Sequence, residues 1–397
     1  MLAKRIKEIE TSTTMKIAGK ALSMKARGED VIDFSVGEPD FPTPARIKQA
    51  AMRAIEKNYT KYTVNDGMIE LRNAIAEKFF RDNGLKYAHN EIIVSNGAKQ
   101  ALFNIVMSVV DTGDEVIIPA PYYVSYPEMV KLAGGKPVIV STRESNGFKL
   151  TADELKAAIT SKTKALIICT PSNPTGLVYH QDEISALAKV VEESGIFVIS
   201  DEVYEKLTYD NIKFASFASA GENIKSKTAV INGVSKAYAM TGWRIGYAAA
   251  PEEIIRSASK IQSHNTSGAS SISQYASLEA LTGPQDDVYE MLKEFENRRN
   301  YIYSRVTEAE AINCVKPQGA FYIFPNISAC IGLKYKGREI KSSFELADFL
   351  LEESKVALVP GEAFGSGDHI RISYSTSMKN IEEGMDRINN ALKKLIR

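Results

Sequence analysis

Short apolar runs alternate with helical segments through the middle of the chain. Several runs of four or five mainly aliphatic residues predict strands that are buried on both faces. These predicted strands are residues 92–95, 115–119, 137–141, 165–169, 197–200 and 228–232. Amphipathic segments fall between several of them, and the clearest is 182–194, which Gly195 ends. This alternation predicts an α/β fold in which helices cover both faces of a mostly parallel sheet.

The two ends of the chain have a different pattern. At the N-terminal end we expect an arm (residues 1–14), a helix (15–26), a short strand (31–35) and two further helices (45–57 and 70–82). Polar and turn-forming residues at 282–287 mark a break. Beyond it we expect a charged helix at 288–307, strands at 320–324, 356–359 and 369–373, and a last helix around residues 381–392. We therefore predict a large domain of residues 45–287 and a small α+β domain of residues 15–44 and 288–397.

Composition and charge exclude several classes of protein. The chain has 397 residues, of which 44% are hydrophobic and 25% charged, and its 49 basic and 49 acidic residues cancel. We therefore expect a soluble protein, with no nucleic-acid or membrane partner. The three cysteines, Cys169, Cys314 and Cys330, are widely separated and have no His or Cys cluster beside them. This predicts reduced thiols, no metal site and, because no secretory signal precedes the first helix, a cytoplasmic protein.

The segment 233–247, GVSKAYAMTGWRIGY, joins the predicted strand 228–232 to another apolar run. Lys236 follows the end of a buried strand and has a second cation, Arg244, nearby. Burial and a neighbouring positive charge both lower the pKa of a lysine amine and leave it able to attack a carbonyl group. An arginine fork suits a phosphate. The pair therefore points to a phosphate-bearing carbonyl cofactor such as pyridoxal 5′-phosphate (PLP), although most loop lysines are ordinary surface cations.

The same segment resembles the PLP-lysine signature of the class I/II aminotransferases, and the resemblance covers nearly the whole chain. The bacterial aspartate aminotransferase subgroup is the most similar. The resemblance implies a PLP-transferase fold of type I and a homodimer with shared active sites. It also implies that Lys236 holds the cofactor covalently and moves the proton, and that Ser235 and Arg244 help to bind the cofactor.

Small residues follow the predicted strand 92–95 in the sequence Asn96-Gly97-Ala98-Lys99-Gln100. Ligands bind at the carboxyl ends of strands in an open parallel sheet, and exposed N–H groups at a helix start favour a phosphate. Any strand–turn–helix connection also favours glycine, so the pattern alone is weak. The resemblance implies that the backbone of Ala98 and Lys99 binds the cofactor phosphate.

Other predicted site residues also follow strand ends. A buried acid must be paired or become protonated, so Asp201 either caps the next helix or, as the resemblance implies, faces the pyridine nitrogen of PLP. The resemblance matches Asn173 and Tyr204 to the residues that bind the phenolic oxygen of PLP. It matches Tyr123 to a ring that stacks on the cofactor, where the family commonly has tryptophan. It matches Tyr62 to a tyrosine that reaches the partner subunit's phosphate.

An arginine within a predicted strand is costly to bury without a partner. Arg371 is in this position; Glu362 is a possible structural partner, whereas the resemblance implies that Arg371 binds the substrate α-carboxylate with help from the backbone near Gly37. The chain shows no counterpart of the partner-subunit arginine that binds the distal carboxylate in the best-studied aspartate enzymes. In the bacterial subgroup a lysine and N-terminal hydroxyl groups replace it, and they match Lys99, Ser12 and Thr14.

The resemblance therefore implies amino-group exchange between L-aspartate and 2-oxoglutarate in a PLP/PMP ping-pong cycle, with amino acids and 2-oxo acids as the small-molecule substrates. An aromatic, alanine or prephenate aminotransferase would share the same core, and a PLP-dependent β-lyase or condensing enzyme would share the lysine. An amino-acid sensor with this fold would need a basic helix-turn-helix module before the first helix. Only about fourteen residues precede that helix, so we expect an enzyme.

Overall fold

The helices and strands follow one another along the chain in the order that the apolar pattern predicts. The computed structural model describes residues 3–309 and 311–397. The α-helices are α1 (Thr13–Ala26), α2 (Ala45–Glu56), α3 (Ile69–Asn83), α4 (Ala98–Val109), α5 (Tyr126–Leu132), α6 (Ala152–Ala158), α7 (Gln181–Ser194), α8 (Glu222–Lys225), α9 (Glu252–Asn265), α10 (Ser271–Thr282), α11 (Asp286–Thr307), α12 (Ser343–Ser354) and α13 (Met378–Leu392). The strands are β1 (Ile32–Asp33), β2 (Ile92–Ser95), β3 (Glu115–Ala120), β4 (Lys136–Ser141), β5 (Thr163–Cys169), β6 (Phe197–Asp201), β7 (Thr228–Gly233), β8 (Gly246–Ala249), β9 (Tyr322–Ile323), β10 (Lys334–Tyr335), β11 (Arg338–Glu339), β12 (Val356–Ala357), β13 (Val359–Pro360) and β14 (Ile370–Ser373).

A seven-stranded sheet with the order β2-β8-β7-β6-β5-β3-β4 forms the centre of the molecule. Neighbouring strands are parallel except at β8, which runs antiparallel to both β2 and β7. Residues 234–245 join β7 to β8 and contain only one short 3-10 turn. A parallel connection needs a longer crossover, usually through a helix, so this short loop returns antiparallel. The sheet confirms the predicted mostly parallel architecture, and the loop places Lys236 at its carboxyl edge.

Alternate residues of each strand pack on opposite faces of this sheet. Ile93 of β2 and Ile167 of β5 contact the core formed with α4, α5 and α9. Val94 contacts the core formed with α3 and α10, whereas Ile168 contacts the core formed with α6 and α7. Because both faces are covered, the strands are apolar throughout, which is why the sequence marks them clearly.

The smaller sheets are shorter than the apolar runs predict. A three-stranded antiparallel sheet has the order β13-β14-β9, and β1 pairs in parallel with β12. The predicted strand 356–359 is therefore wrong, because it is divided between two sheets; its residues are all buried, so the pattern gives no sign of the change. The predicted strand 320–324 is reduced to two residues, because Ala320 has a φ of 55°. The predicted strand 31–35 is also reduced to two residues. The backbone N–H of Ser35 donates to the Asp33 side chain and not to a neighbouring strand.

The helix ends agree with their glycine signals. Gly84 ends α3 and Gly195 ends α7, both in the left-handed conformation that glycine tolerates. Helix α1 begins at Thr13, two residues before the predicted start, so Ser12 is its N-cap residue. Helix α11 likewise begins two residues early, at Asp286. The domain ranges drawn from the sequence remain a prediction.

The three cysteines are free thiols, and Cys330 is buried. Within residues 3–309 and 311–397, no helix has both the length and the apolar character that crossing a bilayer requires. The same residues contain no group of three metal-binding side chains arranged around a common point.

A substitution at Gly246 of β8 tests the close contact between the large sheet and the start of α4. A Cβ atom at this position would overlap the backbone of Ala98 and Gly97. We expect Gly246→Ala to lower the free energy of unfolding by about 3 kcal/mol, because neither backbone can move aside without breaking the sheet or the helix start. Urea unfolding of the purified chain measures the change.

The matched control is Gly19→Ala in α1, where a Cβ meets nothing within 4 Å. Alanine is the better helix former, so this substitution should stabilise the chain by up to about 1 kcal/mol. Equal stability of the two variants would contradict the packing described for Gly246.

Candidate active site

A cavity of about 330 Å³ opens at the carboxyl edge of the large sheet. The structure brings nearly all of the predicted site residues into its wall. They are Ser12, Thr14, Gly37, Ala98, Lys99, Tyr123, Asn173, Asp201, Tyr204, Ser235, Lys236, Arg244 and Arg371. Tyr62 lies outside the cavity and is fully exposed.

The Lys236 amine points to the linker that precedes α2. Its Nζ atom donates a hydrogen bond to the carbonyl oxygen of Gly37 at 2.6 Å. Burial lowers the pKa of Lys236 to about 8; the positive charges of Arg371 and Arg244 add to this effect, and the negative charge of Glu38 opposes it. The amine is therefore partly neutral near neutral pH, as nucleophilic attack and proton transfer require.

Asp201 ends β6 with its carboxylate buried in the cavity wall. The Tyr126 hydroxyl donates to Oδ2 at 2.7 Å, and the Val203 N–H approaches Oδ1 at 3.4 Å. Burial raises the pKa of Asp201, and the hydrogen bond from Tyr126 opposes this. The helix that Asp201 could have capped is absent, since residues 203–206 form turns. A buried carboxylate whose hydrogen-bond partners in the described chain are neutral fits a cationic ring nitrogen.

The start of α4 forms an anion cradle with Arg244. Gly97 is the N-cap residue, with a φ of 86°, and no side chain caps the helix. The Arg244 guanidinium donates to the carbonyl oxygens of Thr241, at 2.9 Å, and Asn96, at 3.3 Å. It lies so close that a Cβ on Gly97 would overlap it. Uncapped N–H groups, the positive end of the helix dipole and a guanidinium together fit a phosphate group.

Arg371 of β14 is buried and incompletely paired. Its Nη1 donates to Oδ1 of Asn173 at 3.0 Å, and its Nη2 donates to the carbonyl oxygen of Ser35 at 2.6 Å. The Nε atom has no hydrogen-bond partner among the residues that the structure describes. The guanidinium lies 4.6 Å from the Tyr322 ring and 5.0 Å from the Phe364 ring. A buried guanidinium with a free N–H in a cavity wall fits a carboxylate ligand.

Glu362, the alternative partner of Arg371, contacts a different element. Its Oε1 atom accepts a hydrogen bond from the backbone N–H of Ser343 at 3.2 Å. The structural pairing of Arg371 with Glu362 is therefore wrong. Carbonyl and amide oxygens replace the carboxylate around Arg371.

Among the cavity-wall residues that sequence reasoning missed, three act directly on predicted site residues. Tyr126 supports Asp201, and the Tyr322 hydroxyl lies 2.8 Å from the Tyr204 hydroxyl. Glu38 contributes the negative charge that most opposes the lowering of the Lys236 pKa. Tyrosines within apolar runs are normally packing residues, so no local pattern marks the first two. Glu38 follows Gly37 directly, and that position is the one available signal.

Lys99, Ser12 and Thr14 all line the cavity. The Lys99 amine lies 5.4 Å from the centre of the Tyr123 ring. The Ser12 side chain does not cap α1, and Thr14 Oγ1 is buried without a hydrogen-bond partner in the described chain. One cationic residue and two hydroxyl-bearing residues thus line the same cavity.

The chain matches the family model for aminotransferase class I and II over residues 29–388. It belongs to this family. It is 49% identical to the aspartate aminotransferase of Bacillus subtilis over 393 residues, and this match covers 99% of each of the two chains. It is 47% identical to the aspartate/prephenate aminotransferase of Cereibacter sphaeroides, over 98% of this chain and 97% of the relative. The crystal structure of the aspartate aminotransferase from Rhizobium meliloti superposes with a TM-score of 0.96 at 44% identity, over 100% and 99% of the two chains.

Membership of the aminotransferase family confirms the resemblance, the PLP-transferase fold and the PLP dependence predicted from the sequence. The cavity fits PLP on its own features. The cradle at α4 suits its phosphate, Asp201 suits its ring nitrogen, and the Lys236 amine is available for its aldehyde. The role of each single residue in this aminotransferase remains a prediction.

The lowered pKa of Lys236 predicts how the stability of the fold depends on pH. The pKa of the amine is about 8 in the folded chain without cofactor and about 10.4 in the unfolded chain. Between these values the unfolded chain binds the extra proton, so this group makes stability rise with pH. Below about pH 8 the buried amine destabilises the fold by a constant amount. Lys236→Met removes this contribution. The free energy of unfolding of the variant, relative to that of wild type, should therefore fall by about 2 to 3 kcal/mol from pH 7 to pH 10.5.

Urea unfolding of the cofactor-free chain at both pH values measures this change. The control is Lys189→Met, which removes an exposed lysine of α7 outside the cavity wall. A stability difference between Lys236→Met and wild type that is the same at both pH values would contradict the lowered pKa of Lys236.

Proposed function

We propose that this aminotransferase exchanges the amino group between L-aspartate and 2-oxoglutarate by a ping-pong mechanism. The observation that carries the proposal is the arrangement of the cavity wall. Arg371, with its free Nε, can hold an α-carboxylate, and Lys99 with Ser12 and Thr14 can hold a second carboxylate. Two separate carboxylate sites suit a short dicarboxylate better than an amino acid with a neutral side chain. The aspartate aminotransferase of Bacillus subtilis, 49% identical to the chain, supports the same substrate.

Binding of the α-carboxylate would rely on groups that are already in place. Asn173 and the Ser35 carbonyl hold the two terminal nitrogens of Arg371, and two aromatic rings flank its plane. The guanidinium therefore cannot rotate freely, and the backbone at Gly37 lines the same cavity. Such prior ordering reduces the entropy lost on binding and orients Cα of the substrate toward Lys236.

When bound, PLP supplies an aldehyde that condenses with amines and a ring that takes up carbanion charge. The Lys236 amine, with its lowered pKa, would take the proton from the substrate Cα and return it to the cofactor carbon. The carboxylate of Asp201 would keep the ring nitrogen protonated. Asn173 and Tyr204 would bind the phenolic oxygen.

The remaining predicted residues would hold the cofactor in place. Ser235, Arg244 and the N–H groups of Ala98 and Lys99 would bind its phosphate. Tyr123 would cover one face of its ring and exclude water. A tyrosine offers the same stacking face as the tryptophan that is common in the family.

The chain would act as a homodimer in the cytoplasm. Tyr62 is fully exposed, in the loop between α2 and α3, and the neighbouring Tyr59 and Val64 are also exposed. Three exposed apolar side chains on one loop suit a contact with a second copy, through which Tyr62 would reach the partner's phosphate. The free thiols suit a reducing compartment.

Prephenate is the second candidate substrate. The relative from Cereibacter sphaeroides carries both activities in its name. The chain also places apolar side chains in the cavity wall: Met15 and Val36 are exposed there, and Val124 adds to them. These residues could accept a ring between two carboxylate sites.

Lys99→Ala tests the choice of substrate. We expect KM for aspartate and 2-oxoglutarate to rise about tenfold or more, because a charge-assisted contact with the distal carboxylate is lost. The kcat/KM for alanine, which lacks that carboxylate and does not depend on the acceptor in a ping-pong mechanism, should change less than about twofold. Steady-state rates with both amino acids measure the effect, with Lys189→Ala as the surface control. A wild-type preference for alanine or phenylalanine, or an unchanged aspartate KM in Lys99→Ala, would contradict the proposal.

A further inference from the structure

The segment before α1 is attached to helix α5 by two side chains. The backbone N–H of Glu10 donates to Oε2 of Glu128 at 3.0 Å, and the Lys131 amine donates to the carbonyl oxygen of Glu8 at 3.3 Å. The same amine donates to Oε1 of Glu128 at 2.9 Å. We call Glu128 and Lys131 the arm clasp. The Glu128–Lys131 pair is part-buried, with side chains 21% and 30% exposed, whereas its two contacts with the arm are exposed.

The attached segment leads directly to the two hydroxyl groups in the cavity wall. Ser12 is the N-cap residue of α1 and Thr14 lies in its first turn, only two to four residues after Glu10. The other end of α1 is attached elsewhere, because Ala21 and Met24 pack against α12 and β12. Helix α1 therefore has two anchors, and the clasp holds the end that carries the hydroxyl groups.

Helix α5 is firmly joined to the rest of the site. Its residues Met129 and Val130 are buried in the core that also contains Leu102 of α4. Helix α4 carries Lys99 in its first turn. The clasp thus connects the segment with the hydroxyl groups to the helix pair that positions the lysine.

We propose that Glu128 and Lys131 are specificity-determining positioning residues that hold Ser12 and Thr14 opposite Lys99. They do not line the cavity themselves, so they act on the substrate through the arm. This inference rests on the proposed function, because it concerns how the same cavity selects a distal carboxylate. Loss of the clasp should weaken recognition of that carboxylate and spare the α-carboxylate, which Arg371 of β14 would bind.

The test uses the holoenzyme with Glu128→Ala and Lys131→Met. The controls are Glu193→Ala and Lys189→Met, which remove the same side chains from the exposed face of α7. The half-reactions with aspartate and with alanine are followed by the cofactor's absorbance, and the dissociation constant of succinate is measured by calorimetry. Succinate is a four-carbon dicarboxylate that cannot react.

We expect each clasp variant to weaken succinate binding and to raise the concentration of aspartate at half-maximal rate by about three- to tenfold, the effect of one or two lost hydrogen bonds. The maximal aspartate rate and the alanine half-reaction should change less than about twofold. A chain lacking residues 1–11 should show the same selective loss, because it leaves α5 unaltered.

Equal losses with aspartate and alanine in the clasp variants would overturn the inference, because they would show general damage to α5 and Asp201. Unchanged succinate binding in these variants and in the shortened chain would also overturn it. Failure of the proposed function is distinguishable: the wild-type chain itself would then show no preference for aspartate over alanine. A wild-type preference that all three variants leave intact would refute the clasp alone.

Discussion

The burial of one lysine amine at the edge of the large sheet is the constraint on which the site depends. Lys236 can be buried there because β8 returns antiparallel through a short loop, which keeps the residue at the carboxyl ends of the strands. The hydrogen bond to the Gly37 carbonyl then requires the linker before α2 to cross the sheet edge. A buried amine loses water, so its pKa falls and its nucleophilicity at neutral pH rises.

Close backbone contacts bring the two ends of the chain to this amine. Gly246 lets β8 approach the start of α4, and Gly97 leaves room for the Arg244 guanidinium. Gly37 leaves room for the Tyr322 hydroxyl, so the linker and the small antiparallel sheet meet over the cavity. A Cβ at Gly246 would overlap backbone atoms, whereas a Cβ at Gly97 or Gly37 would displace the end of the Arg244 or Tyr322 side chain. The site is therefore formed by elements far apart in sequence, and its geometry depends on both sheets at once.

The sequence predicts the large sheet and much of the cavity wall, because strands buried on both faces are continuous apolar runs and Asp201 stands out at the end of one. The role of Arg371 came from resemblance, and its surroundings could not be derived: Glu362 looked a suitable partner, whereas oxygens of Asn173 and Ser35 fill that place. Tyr126 and Tyr322 gave no signal, since a tyrosine in an apolar run packs in most proteins. The strands of the small sheet were located, but their limits and pairing were beyond prediction, because uniform burial hides the point where a chain changes sheets.

Borohydride reduction of the chain with bound PLP, followed by peptide mass mapping, would show directly which lysine holds the cofactor. Reduction fixes the cofactor to the amine that holds it, without any need for turnover. We expect a single stoichiometric adduct on the peptide that contains Lys236, and none on Lys99. An adduct on Lys99 or on scattered surface lysines, with Lys236 unmodified, would contradict it.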